Sequence, residues 1–158
     1  MIQKTLLSST IRRCHTLRHH QHYDIAGHVM RMLYMLDWVY EGEPPIDLVR
    51  CVMYHDTVEV ETGDIPAPIK RHPFFAETFR TVDEYYHDEY NLPSTDDPIL
   101  KVLDSLEFMW FCKSELDMGN QLILPCFNRS KEYYKQAINT LSEDMRKCVE
   151  VMRKELQL

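Results

Sequence analysis

Four polar residues stand on helical faces that are otherwise apolar, and their types suit metal coordination. His28 falls on the stripe of Ile25, Val29 and Met32, three residues after Ile25 and four before Met32, so its ring points inward rather than to water. His55 and Asp56 follow Val52 by three and four residues on the inner face of the next periodic segment, and Glu59 repeats that face one turn later. Asp104 interrupts the most apolar stretch, between Leu100 and Phe108. A buried charge is costly unless it is paired or bound to a metal. One inward histidine is ordinarily a hydrogen-bonded core residue, and one buried aspartate part of a structural network. Two neutral imidazoles and two carboxylates from three helices, however, make a set of two nitrogens and two oxygens suited to one divalent transition metal of the Co, Mn, Zn, Ni or Fe class. Neighbours on a helix diverge by about 100°, so His55 and Asp56 share an ion only if it lies near their turn, with His28 and Asp104 brought to it. Six-coordination leaves places for water and a phosphate oxygen, whereas a closed tetrahedron makes the ion structural.

The elements that must position these residues read as helices. Ile25, Val29, Met32, Leu36 and Val39 keep helical spacing, with Asp24 as N-cap and Gly42 as stop. After Pro44-Pro45, the register of Leu48, Val49, Val52 and Met53 continues as one helix to Glu61, ending at Thr62-Gly63-Asp64 and a proline-stiffened loop, Pro66-Ala67-Pro68. Phe75, Phe79, Val82 and Tyr86 mark a further helix, closed near Asn91-Leu92-Pro93. The next opens at Asp96 or Asp97 with Pro98 in its first turn. From Ile99 to Phe111 it has almost no polar side, so it should run through the middle of the fold. Tyr134, Ile138, Leu141, Met145, Cys148, Met152 and Leu156 are spaced either as one long helix or as two, with Ser142 capping the second. Strand alternation, repeats and low-complexity linkers are absent. The expected fold is all-α: one domain over residues 1–158, a compact bundle of about six helices.

Composition agrees. At 158 residues, 44% hydrophobic and 27% charged, the chain has the size and make-up of one globular domain rather than of a disordered or fibrous one. No apolar run is long enough to cross a bilayer, so no membrane partner is expected. Cys14, Cys51, Cys112, Cys126 and Cys148 are scattered and odd in number, which argues against a disulfide framework and for the reducing cytoplasm. A net charge of −7 speaks against a nucleic-acid polymer as partner. The charge is uneven: residues 1–23 hold Lys4, Arg12, Arg13 and Arg18 and no acid, a local basic patch that also has the make-up of an organellar transit peptide. His15, His19, His20 and His22 crowd this polar segment and read as a solvated loop, with His15 near the site through its place beside Arg13. Tyr85-Tyr86-His87 and Tyr133-Tyr134 read as helix surface and core, with an oligomer contact also open to them.

Beyond these patterns, the chain resembles the HD-domain metal-dependent phosphohydrolases, in the branch of the 5'-deoxynucleotidases and the phage-type deoxynucleotide triphosphohydrolases. The resemblance is carried by Arg13-Cys14-His15-Thr16, by His28, by the run from Tyr54-His55-Asp56 through Glu59 and Thr62-Gly63-Asp64 to Lys70, and by Leu103-Asp104-Ser105. It covers roughly residues 10–110. It implies His28, His55, Asp56 and Asp104 as metal ligands, Glu59 as the acid/base carboxylate, Arg13 as the phosphate clamp and Asp64 as a further catalytic residue. It also implies substrate contacts at Arg13, Cys14, His15, Thr62, Asp64 and Pro66, a second ion such as Mg carried on substrate phosphates, and a homo-oligomer. Two positions depart from the family's pattern. Cys14 stands where an aromatic commonly follows the clamp arginine, and Gly27 stands where a glutamate commonly precedes the metal-binding histidine.

The expected function is a cytoplasmic, divalent-metal-dependent 5'-deoxynucleotidase acting on a small-molecule deoxynucleotide and releasing phosphate from dNMPs. The alternative is a dNTP triphosphohydrolase attacking the same α-phosphorus, with Lys4, Arg12 and Arg18 serving the extra phosphates. A catalytically silent, nucleotide-binding regulatory module is a third reading, against which Glu59 and Arg13 both speak. Arginine suits the clamp because its fork holds two phosphate oxygens at once.

Overall fold

Caps and prolines set the helix boundaries. In the computed structural model, which describes residues 1–158, the order is α1 (Ile2–Ser8), α2 (Ile25–Val39), α3 (Ile46–Tyr54), α4 (Glu59–Thr62), α5 (Ala67–Lys70), α6 (Ala76–Glu89), α7 (Pro98–Asp117), a 3-10 turn (Gln121–Ile123), α8 (Leu124–Ile138) and α9 (Glu143–Glu155). There are no strands, only an isolated bridge between Arg12 and Asp24. Asp24 caps α2 by accepting the Gly27 N–H at 2.7 Å, and Asp97 caps α7 by accepting that of Ile99 at 2.9 Å. Ser142 accepts from Met145 N at 3.4 Å, so the C-terminal stripe is two helices. Six of the helices have nine residues or more, and none is long and apolar enough to cross a membrane.

As its lack of a polar side requires, α7 runs through the middle. Leu103, Leu106 and Met109 are buried against Met32 and Leu36 of α2, Val52 of α3, Ile138 of α8 and Val149 of α9. A smaller cluster gathers Tyr23, Phe111, Cys112, Ile123 and Cys126. There the Tyr23 ring stacks on Phe111 with centroids 3.9 Å apart, which pins the segment before α2 to the central helix.

One expectation is corrected. Residues 46–61 do not form one helix: α3 ends at Tyr54, and α4 begins at Glu59. His55 N still bonds Cys51 O at 3.0 Å, four residues back, but Thr57 N bonds Tyr54 O at 3.0 Å and Glu59 N bonds Asp56 O at 3.1 Å, three back. Apolar spacing over a single turn does not separate a 3.6-residue period from a 3.0-residue one, so the sequence hides this tightening. The segment with His15, His19, His20 and His22 is the solvated loop expected, with His15, His20 and His22 exposed, and its backbone is fastened to the core. Buried Glu115 of α7 accepts the backbone N–H groups of His20 and Gln21, each at 2.9 Å. Asn120 Nδ2 donates to Arg18 O and to Glu115 Oε2, both at 2.8 Å. In addition, α1, unannounced by any periodicity, docks on α4 through an ion pair of Lys4 with Glu61, and on the turn before α4 through a contact of 3.4 Å between the Thr5 and Thr57 hydroxyls.

Candidate active site

The stripe that buries α2 against α7 also buries His28, and the tightened turn after α3 carries His55 and Asp56 toward it. Candidate ligand atoms of these three residues all lie within 4.8 Å of one another. His28 Nε2 is 3.2 Å from His55 Nε2, and Asp56 Oδ2 is 3.7 Å and 3.4 Å from those two nitrogens. The other ring nitrogen of each histidine is spoken for: His28 Nδ1 donates to Glu107 Oε2 at 2.5 Å, and His55 Nδ1 to Val52 O at 2.8 Å. Those bonds turn both Nε2 atoms toward Asp56, where an unprotonated ring can donate to an ion. With both rings neutral, two imidazole nitrogens and a carboxylate oxygen drawn this close form a donor set that fits a divalent ion.

Asp104, on α7, stands at the edge of this group. Its Oδ1 is 3.4 Å from His28 Nε2 and 3.6 Å from an Arg13 nitrogen, and its side chain is half exposed. Arg13 forms an ion pair with Asp56 through the same Oδ2 that faces the histidines. Burial pushes the Asp56 carboxyl up, but His55, Arg13 and His28 outweigh that and hold it well below the usual carboxylate range. Glu59 behaves in the opposite way. Burial and then the charge of Asp56 push its carboxyl up to about 7, against Lys70 and Arg13. Lys70 Nζ donates to Glu59 Oε1 at 3.0 Å, and Glu59 Oε2, like Arg13 Nε, is buried with no protein partner. Asp64 Oδ2 accepts the Cys14 N–H at 2.7 Å and so holds Cys14 in a left-handed conformation, φ 56°. Burial pushes the Cys14 thiol up to about 12, which leaves it no thiolate role near neutrality.

These groups open into one cavity of about 330 Å³. Arg13, Cys14, Asp56, Glu59, Asp64, Pro66 and Asp104 line it. His15 and Thr62 do not: His15 faces a second cavity, and the Thr62 hydroxyl donates to Gly63 O at 3.1 Å. Arg12 and Arg18, read as holders of extra phosphates, also line the second cavity rather than the first. The cations that join Arg13 in the first are Lys70, Arg71 and Arg129, and Arg71 lies 3.5 Å above the ring of Tyr133, which lines the wall. Sequence reasoning missed these, because the cavity forms only where the loop around α5 meets α8.

Glu107 was missed as well, although it sits one turn beyond Asp104. It is fully buried, accepts from His28 Nδ1, from the Tyr23 hydroxyl at 2.7 Å and from Arg31 Nε at 2.6 Å. Burial would raise its carboxyl, but His28, Arg31 and Arg13 outweigh this and hold it at about 2. The carboxylate support of His28 therefore comes from a distant helix rather than from the residue before it, which is Gly27.

No protein-family model and no curated protein sequence matches the chain. Among solved structures it is similar to the HD phosphohydrolase DatZ of cyanophage S-2L, bound to dA and one catalytic Zn2+ ion, with a TM-score of 0.70 and 18% identity over 99% of this chain and 96% of that one. That likeness shows that the chain has the HD-phosphohydrolase fold.

Proposed function

We propose that this protein is a divalent-metal-dependent phosphohydrolase of deoxynucleotides that releases phosphate from 5'-monophosphates. The observation that carries the reading is the convergence of His28, His55 and Asp56 beside a cavity that also holds Arg13 and Glu59. These three residues, with Asp104 at the edge, would hold the ion. When bound, it supplies positive charge to the phosphate and makes a water more acidic. Arg13 binds the phosphate with a two-pronged contact, its Nε having no protein acceptor. Glu59, with one buried oxygen free and a carboxyl poised near neutrality, accepts the proton of the attacking water and passes it to the leaving 5'-oxygen. Lys70 holds its other oxygen. Asp64 is a positioning residue that fixes the backbone next to Arg13. The deoxynucleoside seen in DatZ is the organic product expected of either a monophosphatase or a triphosphohydrolase, and it supports attack at the α-phosphorus.

A second reading, triphosphate release from a dNTP, is favoured by Lys70, Arg71 and Arg129, which add three positive charges to the cavity. Incubating the metal-loaded protein with each common dNMP and dNTP and identifying products by mass separates the two. Orthophosphate from dNMPs is the expected result, triphosphate from dNTPs supports the second reading, and no turnover of either sinks both.

A further inference from the structure

Arg12 and Arg13 are adjacent, yet they face different spaces. Arg13 belongs to the cavity above, whereas Arg12 lines a second one of about 830 Å³ together with Arg18, His15, His19 and His20. No carboxylate lines this second space, in a chain whose net charge is −7. Its histidines are partly engaged: His19 Nδ1 is 2.6 Å from Gln21 O, and His20 Nδ1 is 3.2 Å from Glu115. The side chains of Arg12 and Arg18 are exposed and have no protein partner within ion-pair or hydrogen-bond distance. The wall behind them is built rather than loose. Glu115 and Asn120 tie down the backbone of residues 18–21, and the bridge to Asp24 ties down Arg12. Leu17 lines both cavities, so the segment 12–18 is the partition between them.

We propose that this second cavity binds a condensed phosphate chain, as carried by a nucleoside triphosphate or found free in inorganic polyphosphate. Two unpaired guanidinium groups on a fixed backbone can each take two oxygens, so a chain of phosphates offers the pair more contacts than a single anion does. The acidic remainder of the chain disfavours a long nucleic acid. The binding is read without turnover, so it stands or falls apart from the hydrolase reading.

The test is calorimetric titration of the full chain with inorganic tripolyphosphate, with magnesium in excess so that the phosphate does not strip protein metal. A binding event that depends on Arg12 and Arg18 is expected, separate from any uptake by the cations of the first cavity. Joint replacement Arg12→Ala and Arg18→Ala should weaken it at least about tenfold, with an unchanged melting temperature because both side chains are exposed. Arg13→Ala should leave it within about twofold, by the additivity of separate sites. Titration of the Glu59→Gln chain with a dNTP identifies the source. Affinity equal to that for tripolyphosphate means that the phosphate chain alone is read, and tighter binding means that the nucleoside is held too. Absence of binding overturns the proposal. So does orthophosphate binding as tightly as tripolyphosphate, or a loss that follows Arg13→Ala rather than the Arg12 and Arg18 pair.

Discussion

The two nitrogens of the His28 ring look onto different kinds of surroundings. On the Nδ1 side, Glu107 is fully buried and both its oxygens are in use, by His28, Tyr23 and Arg31. On the Nε2 side, His55 and Asp56 present acceptors to one another, and Glu59 Oε2 and Arg13 Nε are buried without partners. Where the protein supplies the partners, geometry is set before any ligand arrives. Where it withholds them, the site must take charge and hydrogen bonds from outside, which is the condition for binding a cation and a phosphate there.

The sharpest way to break the Nε2 side is to remove a ligand. On the proposed ligand set, His55→Ala or Asp56→Ala should reduce bound metal to near nothing and abolish hydrolysis, since each would donate directly to the ion. Metal content and turnover measured on the same preparation check this, and full activity in either variant would end the assignment. The Nδ1 side is tested by Glu107→Gln, which leaves buried donors of Arg31 and Tyr23 poorly matched. Unfolding in urea should show a loss of about 3 kcal/mol, and metal titration an affinity about 10- to 100-fold lower. Unchanged values in both would reduce Glu107 to core filling.

Glu59→Gln keeps size but cannot exchange a proton. It should retain metal while kcat falls by at least about 10²-fold, and joint loss of metal would make Glu59 a ligand instead. The smallest expected effect is at Lys70. Glu59 must be ionised to accept a proton, so activity is present above its pKa and falls as pH drops through it. Lys70 opposes the rise of that carboxyl to about 7. Lys70→Met should therefore move the acid limb of kcat/KM to higher pH, by about one unit at most, whereas a bound ion, adding positive charge, moves it lower. The same carboxyl affects stability with the opposite slope. Its folded value lies above the usual glutamate value of 4.5, so in the metal-free chain its contribution is full below that pH and is lost as pH rises through about 7. Melting curves of the Glu59→Gln chain should lack that decline.

Much of the architecture was legible one element at a time. Asp24 and Asp97 cap the helices that they precede, α7 lies in the centre, and the seam at Ser142 was one of two options that the C-terminal spacing left open. The candidate ligands were legible because a histidine or aspartate on an apolar face contradicts its surroundings within a single turn. Glu107 carries the same contradiction, but it adjoins Asp104 on a helix already assigned a polar exception, and its partners lie 84, 79 and 76 residues away.

Local periodicity by itself thus determined the helical class and the burial of His28, because side-chain direction within a helix repeats every few residues, while His55, Asp56 and Glu59 were marked by their residue types beside the apolar Val52. Only the tertiary structure decided that the turn after Tyr54 tightens, that Arg12 and Arg13 open into separate cavities, and that Lys70, Arg71, Arg129 and Tyr133 close the wall of the first. Those outcomes depend on where the loop around α5 lies against α8 and where the segment 12–18 lies against α7. Packing between residues distant in the chain sets both, and no repeat along the sequence records it.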